Sequence, residues 1–348
     1  MGRLSRAEQQ ERNRARVLAA AREEFAASGY RDAKIDRIAD RAELTRGAVY
    51  SNFPGKRALY FAVLAELAAA FPTPPEPSRG SVREAVGAVA RAWMARLPLS
   101  DGPARLGADV LPESAADPVV RLPFAQLLKL DAIVLGLALE NLDPTGGRRV
   151  RVAESLLTVL HGAGQLAASA PGFIEPFDVV AACEALAGLD DGWREPSYVP
   201  FVAPARPCDD PWSPPPAADA LRGTTGPVGD GLVAVLGLHR LEAVEEAARA
   251  TGAELTIALV TGTSAELKPL ARLMLAELRD RLRHAAPASA WPRVRLVLDG
   301  DGLAAALGIT AVSDATEVAA RVAGGRVTAR AEGRGACHAA AVAGVRRG

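Results

Sequence analysis
The chain is short of several things, and each shortage excludes a class of protein. Net charge is missing: 41 Lys and Arg balance 41 Asp and Glu over 348 residues. The molecule as a whole is therefore no electrostatic magnet for nucleic acid. Cysteine is scarce, and Cys183, Cys208 and Cys337 are odd in number and far apart. That pattern excludes a disulfide framework and makes a reducing cytoplasm the expected setting. No run approaches about 18 uninterrupted apolar residues, so no membrane span is expected. The N-terminal stretch is polar and arginine-rich and lacks a secretory apolar region. Cys208-Asp209-Asp210, one thiol with two adjacent carboxylates, is too weak a set to expect a metal, and no cofactor is expected.

What is present is unevenly distributed. Residues 1–60 hold 13 Lys or Arg against 8 Asp or Glu, a net of +5. A local basic excess on a neutral chain suits a DNA-binding end. Val17, Leu18, Ala21 and Phe25 form the apolar stripe of a first helix. Ile35, Ile38, Ala39 and Ala42 recur at helical spacing, so Lys34–Arg41 reads as a short helix. Glu43 and Leu44 make a corner, and Thr45 is a good N-cap for a second short helix, Arg46–Phe53. Val49 and Phe53 point inward there, leaving Arg46, Gly47, Tyr50 and Ser51 outside. Pro54-Gly55 ends it, and Lys56 opens a longer helix to about Ala70. Two short helices joined by a sharp turn form a helix-turn-helix, whose second helix fits the major groove.

LTRGAVYSNFPGKRALY resembles the DNA-reading signature of TetR-type repressors through Thr45, Gly47, Tyr50, Phe53, Lys56 and Leu59, preceded by Ile38 and Ala39. The upstream helix matches through Phe25, Gly29 and Tyr30. The resemblance is dense over residues 14–64. Two positions depart from it. Glu43 stands where a turn glycine is common, and a left-handed non-glycine costs about 1–2 kcal/mol. Lys34 stands where Ser or Thr caps the helix, exchanging a cap for a phosphate contact. The DNA-binding residues expected are Lys34, Thr45, Arg46, Gly47, Tyr50, Ser51 and Lys56. Arg46 can fork onto guanine O6 and N7, Gly47 lets backbone approach DNA, and Tyr50 offers a hydroxyl to a phosphate. Lys56 lies at a helix N-terminus, where an anion is already favoured. Arg3 and Arg6 read either as a solvated tail or as an arm on phosphates or the minor groove.

After the proline-rich joint Phe71–Gly80, residues 78–190 read as all-helical. Helices are expected over Ser81–Leu97, Pro118–Asn141, Arg148–Ala170 and Pro176–Leu189. Pro98, Asp101-Gly102-Pro103 and Pro112 fragment the stretch between the first two. The family resemblance implies a helical-bundle effector-binding domain whose last two helices pair with a second copy, giving a homodimer. Trp93, Met94, Phe124, Gln126 and His161 are the candidates to line an effector pocket, and each also reads as ordinary core packing. The lining implies an apolar or aromatic small-molecule effector.

Residues 191–230 carry nine prolines and read as an extended linker that Tyr198, Phe201 and Trp212 could dock on a surface. Beyond it, strands at Leu232–Leu238, Leu255–Val260 and Val294–Leu298 alternate with helices at Leu241–Thr251, Ala265–His284 and Leu303–Leu307. A hairpin, Thr316–Val322 with Arg326–Ala331 across Gly324-Gly325, and a helix Ala336–Val345 close the chain. A mixed sheet between helices is expected. That order resembles the thioredoxin-like fold, without its chemistry: Gly237-Leu238-His239-Arg240 holds no cysteine where the nucleophile would stand. The expected fold class is thus multidomain: an all-α helix-turn-helix (1–70), a helical bundle (78–190), a linker (191–230) and an α/β thioredoxin-like domain (231–348). The two halves are expected to fold independently. The expected function is a non-enzymatic, ligand-responsive TetR-type transcriptional regulator, a cytoplasmic repressor on a near-palindromic operator. The alternative is a redox-sensing or thiol-handling protein fused to a DNA-binding module.

Overall fold
A computed structural model describes residues 5–97, 106–189 and 202–343. Arg3, the breakers Pro98 and Asp101-Gly102-Pro103, the linker residues 191–201 with Tyr198 and Phe201, and Val345 lie outside the described residues.

The helical part opens with α1 (Arg6–Asp32), capped by Ser5, whose side chain accepts from Glu8 N while Glu8 reaches back to Ser5 N. Arg6 is thus the first residue of a capped helix, not part of a free arm. Gly29 sits at φ 71°, a left-handed conformation that breaks α1 and turns Tyr30 into the core. Two short helices follow, α2 (Ile35–Arg41) and α3 (Arg46–Asn52), then α4 (Lys56–Ala69). The aromatic rings of Phe25, Tyr30, Tyr60 and Phe61 interlock at centroid separations of 4.6–6.1 Å, fixing α1 against α4.

The bundle adds α5 (Val82–Met94), α6 (Val110–Ala116), α7 (Pro118–Leu142), α8 (Val150–Ser169) and α9 (Pro176–Leu186). Ser81 and Glu84 form a capping box at α5. Pro118 opens α7 behind Asp117, whose side chain accepts from Val119 N. A Cβ on Gly136 would come within 2.5 Å of the Val150 backbone, so glycine permits the close approach of α7 and α8. Helix α7 is long and apolar enough to cross a membrane by composition, but 67% of that window is buried inside the fold, where it serves as the central core helix.

The rest is a mixed six-stranded sheet in the order β1-β8-β7-β4-β5-β6. Strands β4 (Gly231–Gly237), β5 (Leu255–Val260) and β6 (Val294–Val297) are parallel, with β6 at one edge. The hairpin β7 (Glu317–Ala323) and β8 (Arg326–Glu332) lies antiparallel beside β4. Strand β1 (Arg206–Pro211) pairs antiparallel with β8 at the edge. Part of the expected linker is therefore sheet. Its prolines are compatible with this because an edge strand needs donors on only one side. Trp212 is buried and donates to Val228 O at 2.9 Å, docking the segment as its sequence suggested. A short ladder joins β2 (Ala217–Ala218) to β3 (Thr225–Gly226).

Strand alternation divides the sheet faces. Val233, Val235, Ala258 and Val260 pack with Leu303 of α12 (Asp301–Ala306) in one cluster. Leu232, Ala234, Leu236, Ile257 and Leu259 belong to the other, which contains α10 (Ala243–Ala250), α11 (Ser264–Ala285) and α13 (Ala336–Val342). That second cluster does not stop at the sheet. It continues without interruption through α11 into α4, α5 and α7. The expectation of two independently folding halves is corrected here, because α11 belongs to both.

Helix α11 runs along α4 from end to end. At the start, Arg57 Nε donates to Glu266 Oε1 at 3.0 Å, and its other arm meets Asp117 at 2.8 Å. At the far end, Arg283 reaches Thr73 Oγ1 at 3.3 Å, and Ala288 N donates to Glu76 at 2.9 Å. One turn from that far end, Arg281 pairs with Asp131 of α7, both nearly inaccessible to water. Burial pushes the Asp131 carboxyl up to about 6, and the Arg281 charge pulls it the other way. Arg96 meets Asp280 at 2.6 Å. Gln126 accepts from Glu242 N at 3.0 Å, and Arg249 forks onto Glu140 at 2.9 Å.

Breaking one partner of a buried pair leaves the other charge stranded. Asp131→Ala is expected to lower unfolding free energy by about 3–5 kcal/mol, whereas Asp131→Leu combined with Arg281→Met should be neutral or stabilising by about 1–4 kcal/mol. Urea unfolding of the three chains checks this; equal losses in the single and double variants would show that the pair is not the tie between the halves. A specific protease site inserted between residues 190 and 202, once cleaved, is expected to leave the two halves together under native size-exclusion chromatography, because the core is continuous.

Candidate nucleic-acid interface and inter-half cavity
The head is built so that α3 projects from a small aromatic core. Val49 and Phe53 are buried. Thr45 caps the helix, its side chain accepting from Ala48 N at 3.2 Å. The turn before it depends on Glu43 at φ 50°, the one non-glycine with positive φ among the described residues. Its carboxylate meets Arg16 at 2.8 Å, which offsets part of the conformational cost. Arg14 stacks over the Phe53 ring at 4.5 Å, tying α1 to the end of α3.

The outward face carries Thr45, Arg46, Gly47, Tyr50 and Ser51, all exposed. Arg46 lies 3.4 Å from Asp36 and 5.6 Å from the centre of the Tyr50 ring. Both members of the Arg46–Asp36 pair are well exposed, so leaving it for a base costs at most about 1 kcal/mol. A Cβ on Gly47 would meet nothing nearer than Thr45 Oγ1 at 3.8 Å, so the glycine is not required by the head's own packing. Ser51 donates to Ala48 O at 2.8 Å. Lys34, at the N-cap of α2, is exposed and makes no capping bond, which leaves its ammonium free of that role.

Lys56 is a correction. Its ammonium was expected to meet a phosphate, but it donates to Tyr30 O, Arg31 O and Ala33 O at 2.9, 3.0 and 3.2 Å and lies over the Tyr30 ring at 4.7 Å. The carbonyls at the end of α1 lack intrahelical partners, and a cation there is doubly favoured by the helix dipole. All three ammonium protons are committed inside the head.

A cavity of about 350 Å³ lies between the bundle and α11. Trp93, Phe124 and His161 line it, as the sequence suggested. Met94 and Gln126 do not: Met94 is packed in the core on another face of α5, and Gln126 serves the joint with Glu242. Sequence reading missed Leu64, Leu67 and Phe71 from the α4 side and Leu273, Met274, Glu277 and Arg281 from α11. A signal for the second set existed. Between Leu267 and Ala286 the apolar residues cover more than one face, and a helix apolar nearly all round is a buried helix.

The polar end of the cavity is formed by Trp93, His161 and Arg281. The Trp93 and His161 rings meet edge to face at 4.8 Å, and the Arg281 guanidinium lies 5.1 Å from the Trp93 ring. Burial, helped by the nearby Arg281 charge, lowers the His161 pKa to about 3, so the imidazole is neutral at physiological pH. Trp93 Nε1, His161 Nε2 and Arg281 Nε are buried without a hydrogen-bond partner. Among the described residues, no group of three or more His, Cys, Asp or Glu is placed to hold a metal ion. Cys337 is buried at the start of α13, and burial followed by the Glu317 charge pushes its thiol well above the ordinary range.

Comparison with known proteins bears on the head alone. Residues 17–63 match the model of the bacterial regulatory proteins of the tetR family. Over 65 residues, 19% of this chain, the sequence is 49% identical to the HTH-type transcriptional regulator SrpR of Pseudomonas putida, covering 30% of that protein. It is likewise 49% identical over 65 residues to the uncharacterized HTH-type transcriptional regulator TtgW of Pseudomonas putida, covering 48% of it. The matched segment is thus under half the length of either relative. Among solved structures, the transcriptional regulator FadR from Bacillus subtilis, in complex with stearoyl-CoA, is 15% identical with a TM-score of 0.37, covering 50% of this chain and 96% of that one. A TetR transcriptional regulator from Rhodococcus sp. RHA1 is 19% identical with a TM-score of 0.37, covering 52% and 95%. Likeness at that level says nothing about what this chain binds. The sequence match and the geometry of α2 and α3 together make residues 17–63 a TetR-family N-terminal helix-turn-helix domain.

Proposed function
We propose that the chain is a ligand-responsive transcriptional regulator that binds double-stranded DNA as a homodimer and acts as a repressor on a near-palindromic operator. The observation that carries this reading is the exposed, capped α3 with Thr45, Arg46, Gly47, Tyr50 and Ser51 on one outward face of a TetR-family head. Arg46 reads a base, Tyr50 and Lys34 contact phosphates, and Lys56 holds the head together.

Dimerisation is supported by the surface of the last two bundle helices. Leu166 of α8, Phe173 in the turn and Phe177 of α9 are large apolar side chains left in water, the two phenylalanines 72% and 82% exposed. Grouped exposed aromatics of this kind mark association surfaces. The effector site is the cavity lined by Trp93, Phe124 and His161. An effector would act by binding two head arrangements with different affinity.

Residues 231–348 are read as thioredoxin-like in fold only. The parallel β4–α10–β5 unit, the antiparallel hairpin beside β4 and the closing α13 support that reading. The redox alternative has no support from Cys337, because the thiolate is the reactive form and burial opposes it. The chain is read as non-enzymatic.

A footprint of the purified protein on its own upstream DNA is expected to show two half-sites about one helical turn, roughly 34–36 Å, or multiples apart. Sedimentation should give a dimer, converted to monomer with weakened DNA binding by Phe173→Asp plus Phe177→Asp. A monomer protecting one asymmetric half-site would refute the assembly. Arg46→Ala is expected to cost about 1–3 kcal/mol and relax base preference if its contact is bidentate. Lys56→Met is expected to lower stability by about 1.5–3 kcal/mol, the scale of a hydrogen bond to a charged group, with the salt dependence of DNA binding unchanged. A salt slope reduced by about one would return Lys56 to the phosphate backbone.

A further inference from the structure
The cavity is not a property of the helical bundle alone. Leu273, Met274, Glu277 and Arg281 of α11 form one wall, and the opposite wall comes from α4, α5 and α8. A ligand in it would touch both halves of the chain at once. It would also lie against the C-terminal part of α4, whose N-terminal end carries the head.

Two features of the cavity state what kind of molecule it takes. The first is the set of buried polar atoms without partners, Trp93 Nε1, His161 Nε2 and Arg281 Nε, gathered at one end. Buried polar groups in folded proteins are nearly always paired, so this end suits a hydrogen-bonding group of a ligand. Trp93 Nε1–H and Arg281 Nε–H are donors only, so that group is an acceptor such as a carbonyl or ether oxygen. The second is charge balance. Arg281 is matched by Asp131 and Glu277, and Arg96 by Asp280. His161 is neutral. No positive charge is left over for an anion, and a buried anion without a counter-charge is strongly disfavoured.

We propose that the cavity is a composite site, complete only with α11 docked against α4, α5 and α8. It takes an uncharged, mainly apolar molecule bearing an acceptor oxygen at the Trp93–His161–Arg281 end. Such a ligand fastens the α/β half to α4. This deepens the reading of the chain as a ligand-responsive regulator by giving the ligand class and the second wall of its site.

The test uses the full chain and two fluorescent probes, Nile red, which is uncharged with a carbonyl oxygen, and 1-anilinonaphthalene-8-sulfonate, an anion. Nile red is expected to bind one per chain with blue-shifted emission, at least about tenfold more tightly than the sulfonate. Gly164→Leu on α8 and Met274→Trp on α11 fill the cavity from opposite walls, and each should weaken Nile red by at least about tenfold. Trp93→Phe keeps an aromatic side chain, smaller than the indole, and removes the Nε1–H donor, so at least about tenfold weaker binding is expected, the scale of one hydrogen bond. It decides the matter if a filling variant loses its native circular dichroism spectrum. Glu277→Gln removes one of the two carboxylates matched to Arg281 and should raise sulfonate affinity. Absence of Nile red binding, preference for the sulfonate, binding untouched by Trp93→Phe, or binding sensitive to Gly164→Leu but not to a folded Met274→Trp would each overturn the proposal. A gel shift on upstream DNA runs beside it. DNA binding without the probe results sinks this proposal alone, whereas the probe results without DNA binding sink only the regulatory reading.

Discussion
The architecture depends on one helix being buried on nearly every side. Helix α11 lies between the sheet and the bundle, with Leu267, Leu270, Leu273, Met274, Leu275, Leu278 and Leu282 all nearly inaccessible to water. Each such side chain contributes about 1.5–3 kcal/mol on burial. No other single element among those described contributes to both sides of the joint in this way. The charges on α11 follow the same logic. Glu266, Asp280 and Arg281 each meet an opposite charge from the helical half, so the joint is specified by position as well as by apolar area.

That arrangement makes α4 a shared element. Its first turn, through Lys56 and Arg57, fixes the end of α1 and the start of α11. Its last turns form a wall of the cavity. A change in how α11 rests on α4 must alter either the cavity or the seat of the head, because close-packed interfaces shift between discrete arrangements more readily than they deform.

Local structure was legible wherever a stretch announces its own period or punctuation. Strand Leu255–Val260 and the starts of α3, α4 and α7 lie where apolar spacing and caps place them. Thr45 could be read as a cap because the interaction spans three residues. The fate of Lys56 could not, since its acceptors lie 23 to 26 residues earlier and become acceptors only once Gly29 has turned the chain. Strand β1 was hidden by its prolines, which count against a strand except at an edge. The cavity was half legible. Trp93, Phe124 and His161 stand out as large or polar residues in a helical region, but the α11 wall comes from a segment more than a hundred residues later whose second apolar face reads equally well as cover for its own sheet.

The prolines of β1 have a consequence for how copies of the chain can meet. An outermost strand with its N–H groups unpaired invites another strand to join it. Pro207 and Pro211 have no N–H to offer, and the ladder to β8 shifts register between Pro207 and Asp210. That margin is a poor template for lateral growth. Along that edge the sheet can sit in a crowded, concentrated solution without recruiting a further strand.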